Sequence, residues 1–243
     1  MAVEIKTFIN GAEIPRAQVL EWEAKRAKKV LSKLGVRPLS DDLVAMRQQL
    51  VQRKKELGID GIFKLLNFEL AVSDIAASLT ARLSAGNRKF SIVELVSSHG
   101  SAQQFVNWFN EQSHSSDYVP MIEACPDHYI IRVREDGSQE VVETNGGAPM
   151  VARFIIDYTD TSSLQSKADP AYPLEILGVA CSKTGLPLGG VRHQFRDEGS
   201  GFRARLLVEF PSMILPWILT GHEWHLACEF ANWIQASVKD NLS

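Results

Sequence analysis

Between residues 17 and 34 the apolar positions Val19, Leu20, Ala24, Ala27, Leu31 and Leu34 recur every three or four residues among charged ones. That spacing gathers them on one side of an α-helix, and Gly35 followed by Pro38 supplies a stop. A second helix is predicted from Ser40, which suits an N-cap. Asp41 and Asp42 lie in its first turn, Lys54 and Lys55 in its last, and Gly58 at its end, so the charges match the helix dipole. Residues 65–83 read as a third helix, with Gly86 and Asn87 just beyond it. Residues 1–88 are therefore expected to form a mostly helical region.

After Lys89 the pattern shortens to β-rich runs at 90–98, 128–135, 139–144, 150–158, 174–182, 191–197 and 201–210. Asp136 and Gly137 form a hairpin signal between two runs, and residues 198–201 separate two more. Two amphipathic helices complete this part: a short one at 102–112, and a long one at 216–239 carrying Trp217, Ile218, Trp224, Ala227, Phe230, Ala231 and Ile234. This order predicts an α+β fold at residues 89–243, in which a curved antiparallel sheet wraps a long C-terminal helix and encloses a cavity.

Composition narrows the function classes. Apolar residues make up 45% of the 243 residues and charged residues 23%, enough to bury a core and too apolar for a disordered chain. A net charge of -3 offers no basic excess for a phosphate backbone, so nucleic-acid binding is not expected. No apolar stretch approaches the roughly 20 residues of a membrane helix. The N-terminal residues lack the basic and apolar regions of a secretory signal, so a cytoplasmic location is expected. Cys125, Cys181 and Cys228 are an odd, widely spaced set without a CxxC pair, and read as buried apolar residues.

The chemistry concentrates in GHEWHLACEFANWI. There His225 and Glu229 stand four apart on a helix, one face and one metal ion's reach. A surface ion pair or a satisfied core histidine has the same spacing. Leu226, Phe230 and Trp233 flank the pair with apolar bulk, however, and leave its polar atoms in need of partners. His128, Glu143 and His193 on strands are candidate partners, with Glu123, Glu140 and Glu175 competing for the place of Glu143. Two imidazoles and two carboxylates suit Zn(II). His222, one turn before His225, is expected at the surface rather than as a spare ligand. The glycines at 146–147 and 185–190 lack a nucleotide-binding context and read as turns. The basic runs near Lys28 and Lys54 read as solvated helix faces.

Five segments in order, SAQQFVNWFNEQ, PDHYIIRV, VVETNGG, GGVRHQFRDEGSGFRARLLVEF and HLACEFANWI, resemble the family of 2,4-diacetylphloroglucinol hydrolase and phloretin hydrolase. That resemblance implies a helix-grip fold like those of START and Bet v 1 proteins. It also implies a zinc-dependent hydrolase that cleaves a carbon-carbon bond between an acyl group and an electron-rich phenolic ring. By the same resemblance His128, Glu143, His225 and Glu229 would hold Zn2+, and His193 would contact substrate and move protons. Ile131 stands where those enzymes use a polar residue to hold a phenol oxygen. The implied reaction protonates a ring carbon to a β-diketone-like tautomer, after which water attacks the acyl carbonyl and the ring leaves as a stabilised enolate. Tyr118 and Tyr129 are candidate donors to a substrate oxygen.

The expected partner is thus a small hydrophobic or aromatic ketone. The apolar surface of the N-terminal helices further suggests a homodimer. A helix-grip protein that only carries a hydrophobic ligand, and a metal site that only staples the fold, are the alternatives.

Overall fold

The computed structural model describes residues 3–240. It opens with a hairpin that the sequence pattern did not announce, Ile5–Ile9 (β1) and Ala12–Ile14 (β2), turning at Asn10 and Gly11 with φ of 51° and 77°. Asn and Gly are the residues that enter this left-handed region most readily. Arg16–Lys33 (α1) and Leu43–Leu83 (α2) follow. The cap of α2 is Asp42, whose carboxylate accepts from the Ala45 amide at 2.9 Å. The two helices expected over this stretch are one element bent at Gly58, where φ is 62° and ψ is 175°. Glycine supplies the terminating conformation, yet the helix resumes because Ile62, Leu66 and Leu70 continue the buried face begun by Met46 and Leu50.

The remaining elements are Arg88–Ser97 (β3), Ala102–His114 (α3), Val119–Glu123 (α4), His128–Val133 (β4) and Gln139–Glu143 (β5), then a 3-10 turn at Asn145–Gly147. Ala152–Asp157 (β6), Leu174–Cys181 (β7), Pro187–Glu198 (β8), Gly201–Pro211 (β9) and Pro216–Asp240 (α5) complete the chain. The fold is α+β: among the described residues one antiparallel sheet of nine strands runs β2-β1-β3-β9-β8-β7-β6-β5-β4, with α5 as the long C-terminal helix. Each expected strand is present, and the N-terminal hairpin extends the sheet beyond β3 through Ile5–Ile9. Gly137 turns β4 into β5 with φ of 81°, and Gly199, with φ of 62°, lies in the turn between β8 and β9.

Two cores flank the sheet. The larger joins α3 and α5 to β3, β8 and β9, with the Phe105 ring 5.3 Å from Phe195 and 5.6 Å from Phe202. The smaller joins α1 and α2 to β4 and β5 through Leu31, Leu34, Met46, Leu66, Tyr129, Ile130 and Val142. Burial of such side chains contributes about 1.5–3 kcal/mol each, so packing holds the helical hairpin on the strands that carry the site. The far half of α2 turns a second apolar face outward, with Phe68 at 79% and Ile75 at 71% exposure beside exposed Leu65, Leu79 and Leu83. Among the described residues no helix is long and apolar enough to cross a membrane.

Candidate metal centre

The β4–β5 pairing is irregular where the chemistry lies. His128 faces Glu143 across the ladder and Ile130 faces Val142, so Tyr129 is an extra residue on β4. In an unbroken strand Tyr129 would share the face of Ile131. The bulge instead returns His128 to that face and sends Tyr129 outward. His128, Ile131, Gln139, Val141 and Glu143 thus line one wall of a cavity of about 390 Å³, while Tyr129 packs against α1 and α2. The opposite wall is α5, whose helical spacing aligns His222, Leu226, Glu229, Phe230 and Trp233. His225 lies on the same helix face and is buried at 1% exposure.

Four side chains converge between these walls. His128 Nε2 is 3.1 Å from His225 Nε2, 3.0 Å from Glu229 Oε2 and 3.7 Å from Glu143 Oε2. His225 Nε2 is 3.6 Å from each carboxylate. Bonds of about 2.0–2.1 Å to a tetrahedral ion place its donors roughly 3.3–3.4 Å apart, and these five separations bracket that value. The rival carboxylates go elsewhere: Glu123 is exposed, Glu140 pairs with Arg132 and Glu175 with Arg192.

Cys125, His128 and His225 form a buried group whose ligand atoms lie within 4.8 Å of one another, and this group could hold a metal ion. Within it the sulfur meets the outer nitrogen of His225, with Sγ 3.8 Å from Nδ1. His128 Nδ1 meets the Met121 carbonyl at 3.0 Å, so its proton belongs on Nδ1 and its lone pair on Nε2. The two Nε2 atoms therefore face each other and the carboxylates, with Cys125 behind His225.

Electrostatics follow from burial and proximity. Burial opposes ionisation of Glu229, but the charges of His225 and His128 prevail and hold it well below the usual carboxylate range. At Glu143 burial prevails and its pKa rises. His225 is raised despite its burial, by Cys125 and both glutamates. His193, on the cavity wall of β8, is pushed down to about 4 by burial; its ring meets Phe230 at 4.7 Å, and its Nδ1 is buried without a hydrogen-bond partner among the described residues.

Two expectations are corrected. Tyr118 and Tyr129 do not line the cavity: Tyr118 packs beside the main core at the start of α4, and Tyr129 is turned out by the bulge. His222 is buried rather than at the surface, its ring stacked on His225 at 5.4 Å and its Nδ1 3.2 Å from Ser91 Oγ. Burial lowers its pKa to about 3. The cavity tyrosine is Tyr158, just after β6, donating to Gln139 Oε1 at 3.0 Å. Its phenol is raised by burial and by Glu229 and Glu143. Trp233 stacks on His128 at 5.6 Å and 26°. The eight-residue spacing from His225 placed Trp233 near the ligand face in the sequence, whereas nothing local to Tyr158 distinguished it from Tyr118 or Tyr129. No protein-family model matches the chain, and no curated protein matches it.

Proposed function

We propose that this chain is a zinc-dependent hydrolase that cleaves a carbon-carbon bond next to a ketone, in a small acyl-phenol or β-diketone-like molecule. The observation that carries the reading is that the Nε2 atoms of His128 and His225 lie within 3.0–3.7 Å of each other and of the Glu143 and Glu229 carboxylates, beside a cavity walled mostly by apolar side chains. Buried imidazoles and carboxylates are costly to desolvate, and a shared cation offsets that cost. The long helix against an antiparallel sheet supports the helix-grip fold that the five-segment resemblance implies.

His128, His225, Glu143 and Glu229 would hold Zn2+, which would supply an acidified water and polarise a carbonyl oxygen. The apolar walls formed by Ile131, Val141, Leu226 and Phe230 exclude bulk water and bind the ring or alkyl part of the substrate. His193, pushed down to about 4 by burial, is neutral at physiological pH, and its place on the cavity wall with Nδ1 unpartnered among the described residues lets it relay a proton between water and the leaving carbon. Water adds its oxygen to the acyl carbon, and the bond from that carbon to the ring or α-carbon breaks. The electron pair leaves on that second carbon as an enolate, where the proton ends. The products are a carboxylic acid and the deacylated partner. Ile131 on the cavity wall gives no hydrogen bond to a phenol oxygen, which favours substrates that rely on the ketone oxygen for polar contact.

The test is metal content and zinc titration of the full chain, with an assay on acylated phenols and β-diketones for acid release. About one zinc per chain is expected, removable by chelation without loss of the circular dichroism spectrum, with His225→Ala and Glu229→Gln abolishing both zinc and turnover. A folded wild-type chain that binds no zinc overturns the reading and leaves a ligand-binding cavity.

A further inference from the structure

Each ligand on the sheet has a polar neighbour that faces away from the cavity. Asp127 precedes His128, and Thr144 follows Glu143. Both are fully buried, and one side chain from α1 joins them. Arg26 Nε donates to Asp127 Oδ2 at 2.8 Å, Arg26 Nη2 to Asp127 Oδ1 at 2.6 Å, and the same Nη2 to Thr144 Oγ1 at 3.4 Å. The Thr144 hydroxyl donates to the same carboxylate, and the Thr144 amide reaches the Asp127 carbonyl at 3.2 Å. We propose that Arg26 is a positioning residue for the metal centre, setting the separation of His128 and Glu143 by tying Asp127 to Thr144. The inference rests on the four-residue site described under Proposed function.

Three observations favour positioning over plain packing. First, the clamp sits where the β4–β5 ladder is interrupted by the Tyr129 bulge, so regular pairing does not by itself fix His128 against Glu143. Second, the guanidinium engages both carboxylate oxygens, a planar fork that resists rotation in a way an ammonium cannot. Third, a buried ion pair adds little net stability over well-packed apolar residues, so its value here lies in geometry. The chain makes room for it: a Cβ on Gly147 would lie 3.2 Å from Arg26 Nη1, and Gly147 has φ of 82°. The same segment is anchored from α2, where the buried Lys54 Nζ donates to the Pro126 carbonyl at 3.1 Å. The helical hairpin thus holds the back of the site while α5 supplies its front.

The experiment is a competition titration with Zn(II) and a chromophoric chelator, with the Co(II) absorption spectrum of the same full-length chains. Arg26→Met combined with Asp127→Leu removes both charges and leaves neither buried alone, so the fold is expected to persist. Zinc affinity should fall about 10- to 100-fold and the Co(II) bands should shift, while the metal-free melting temperature stays near that of wild type. Arg26→Lys should fall between the two. Wild-type affinity and an unchanged Co(II) spectrum in the folded double variant overturn the proposal and leave the four ligands standing. A wild-type chain that binds no zinc overturns the site itself. If the double variant does not fold, Thr144→Val removes only the hydroxyl that joins Thr144 to the Arg26–Asp127 pair, leaving the backbone bond in place, and unchanged zinc affinity there overturns the proposal.

Discussion

Gly221 on α5 tests how the site is closed. A Cβ at this position would lie 2.0 Å from the Gly146 carbonyl oxygen and 3.0 Å from its carbon, both backbone atoms that no rotamer change can move. In an isolated helix Gly→Ala is stabilising by about 1 kcal/mol. Here the 3-10 turn must retreat from α5 by about 1 Å to reach 3.0 Å, the closest approach that real Cβ atoms show. Overpacking of this kind costs about 1–3 kcal/mol, and the upper end applies because both partners are main chain. Gly221→Ala is therefore expected to destabilise by about 1–2 kcal/mol, a fall of roughly 2–8 °C in melting temperature for a chain of this size. Glu143 lies two residues before the turn, and metal sites hold their ligands to within about 0.2 Å, so the same variant should bind zinc more weakly. Thermal unfolding with and without zinc reads both effects. A melting temperature equal to or above wild type would refute the argument, because helix propensity alone would then have decided.

The other expectations concern separate parts of the molecule. His193 has a pKa near 4 in the folded chain, below the 6.5 of an unperturbed histidine, so the unfolded state binds more protons between these values. Stability should therefore fall as pH drops from 6.5 to 4, by at most about 3 kcal/mol from this residue, and His193→Leu should flatten that part of the melting profile; an unchanged slope contradicts the assignment. Cys125→Ala removes the neighbour of His225 Nδ1 and should weaken zinc binding without abolishing it, whereas complete loss of zinc would make the sulfur itself a ligand. Phe68, Ile75, Leu79 and Leu83 form the exposed α2 face that a homodimer should cover, so Phe68→Glu with Leu79→Glu should yield monomers by sedimentation; a wild-type monomer at tens of micromolar would dismiss that interface.

Much of this architecture was legible locally. The shift from helical spacing to β-rich runs near Lys89, the turn at Gly137 and the apolar face of α5 each depend on near neighbours, and each appears where the pattern placed it. The β1–β2 hairpin escaped because β2 spans three residues, too few for a period. The fused α2 escaped because a glycine stop ends a helix only when the residues beyond it have nowhere to pack, and Ile62 and Leu66 do.

At the candidate site, sequence by itself determined one half of the arrangement, because His225 and Glu229 on one helix must share a face. Tertiary structure decided the other half. Which side of β4 carries His128 depends on the single extra residue at Tyr129, and a bulge is defined only against the partner strand. The same parity removed Tyr129 from the cavity. Arg26 reaches Asp127 across 101 positions, and His222 reaches Ser91 across 131. Periodicity is a property of one segment and can be read from it. Register, burial of a polar group and the meeting of distant side chains are properties of pairs of segments, and exist only once both are packed.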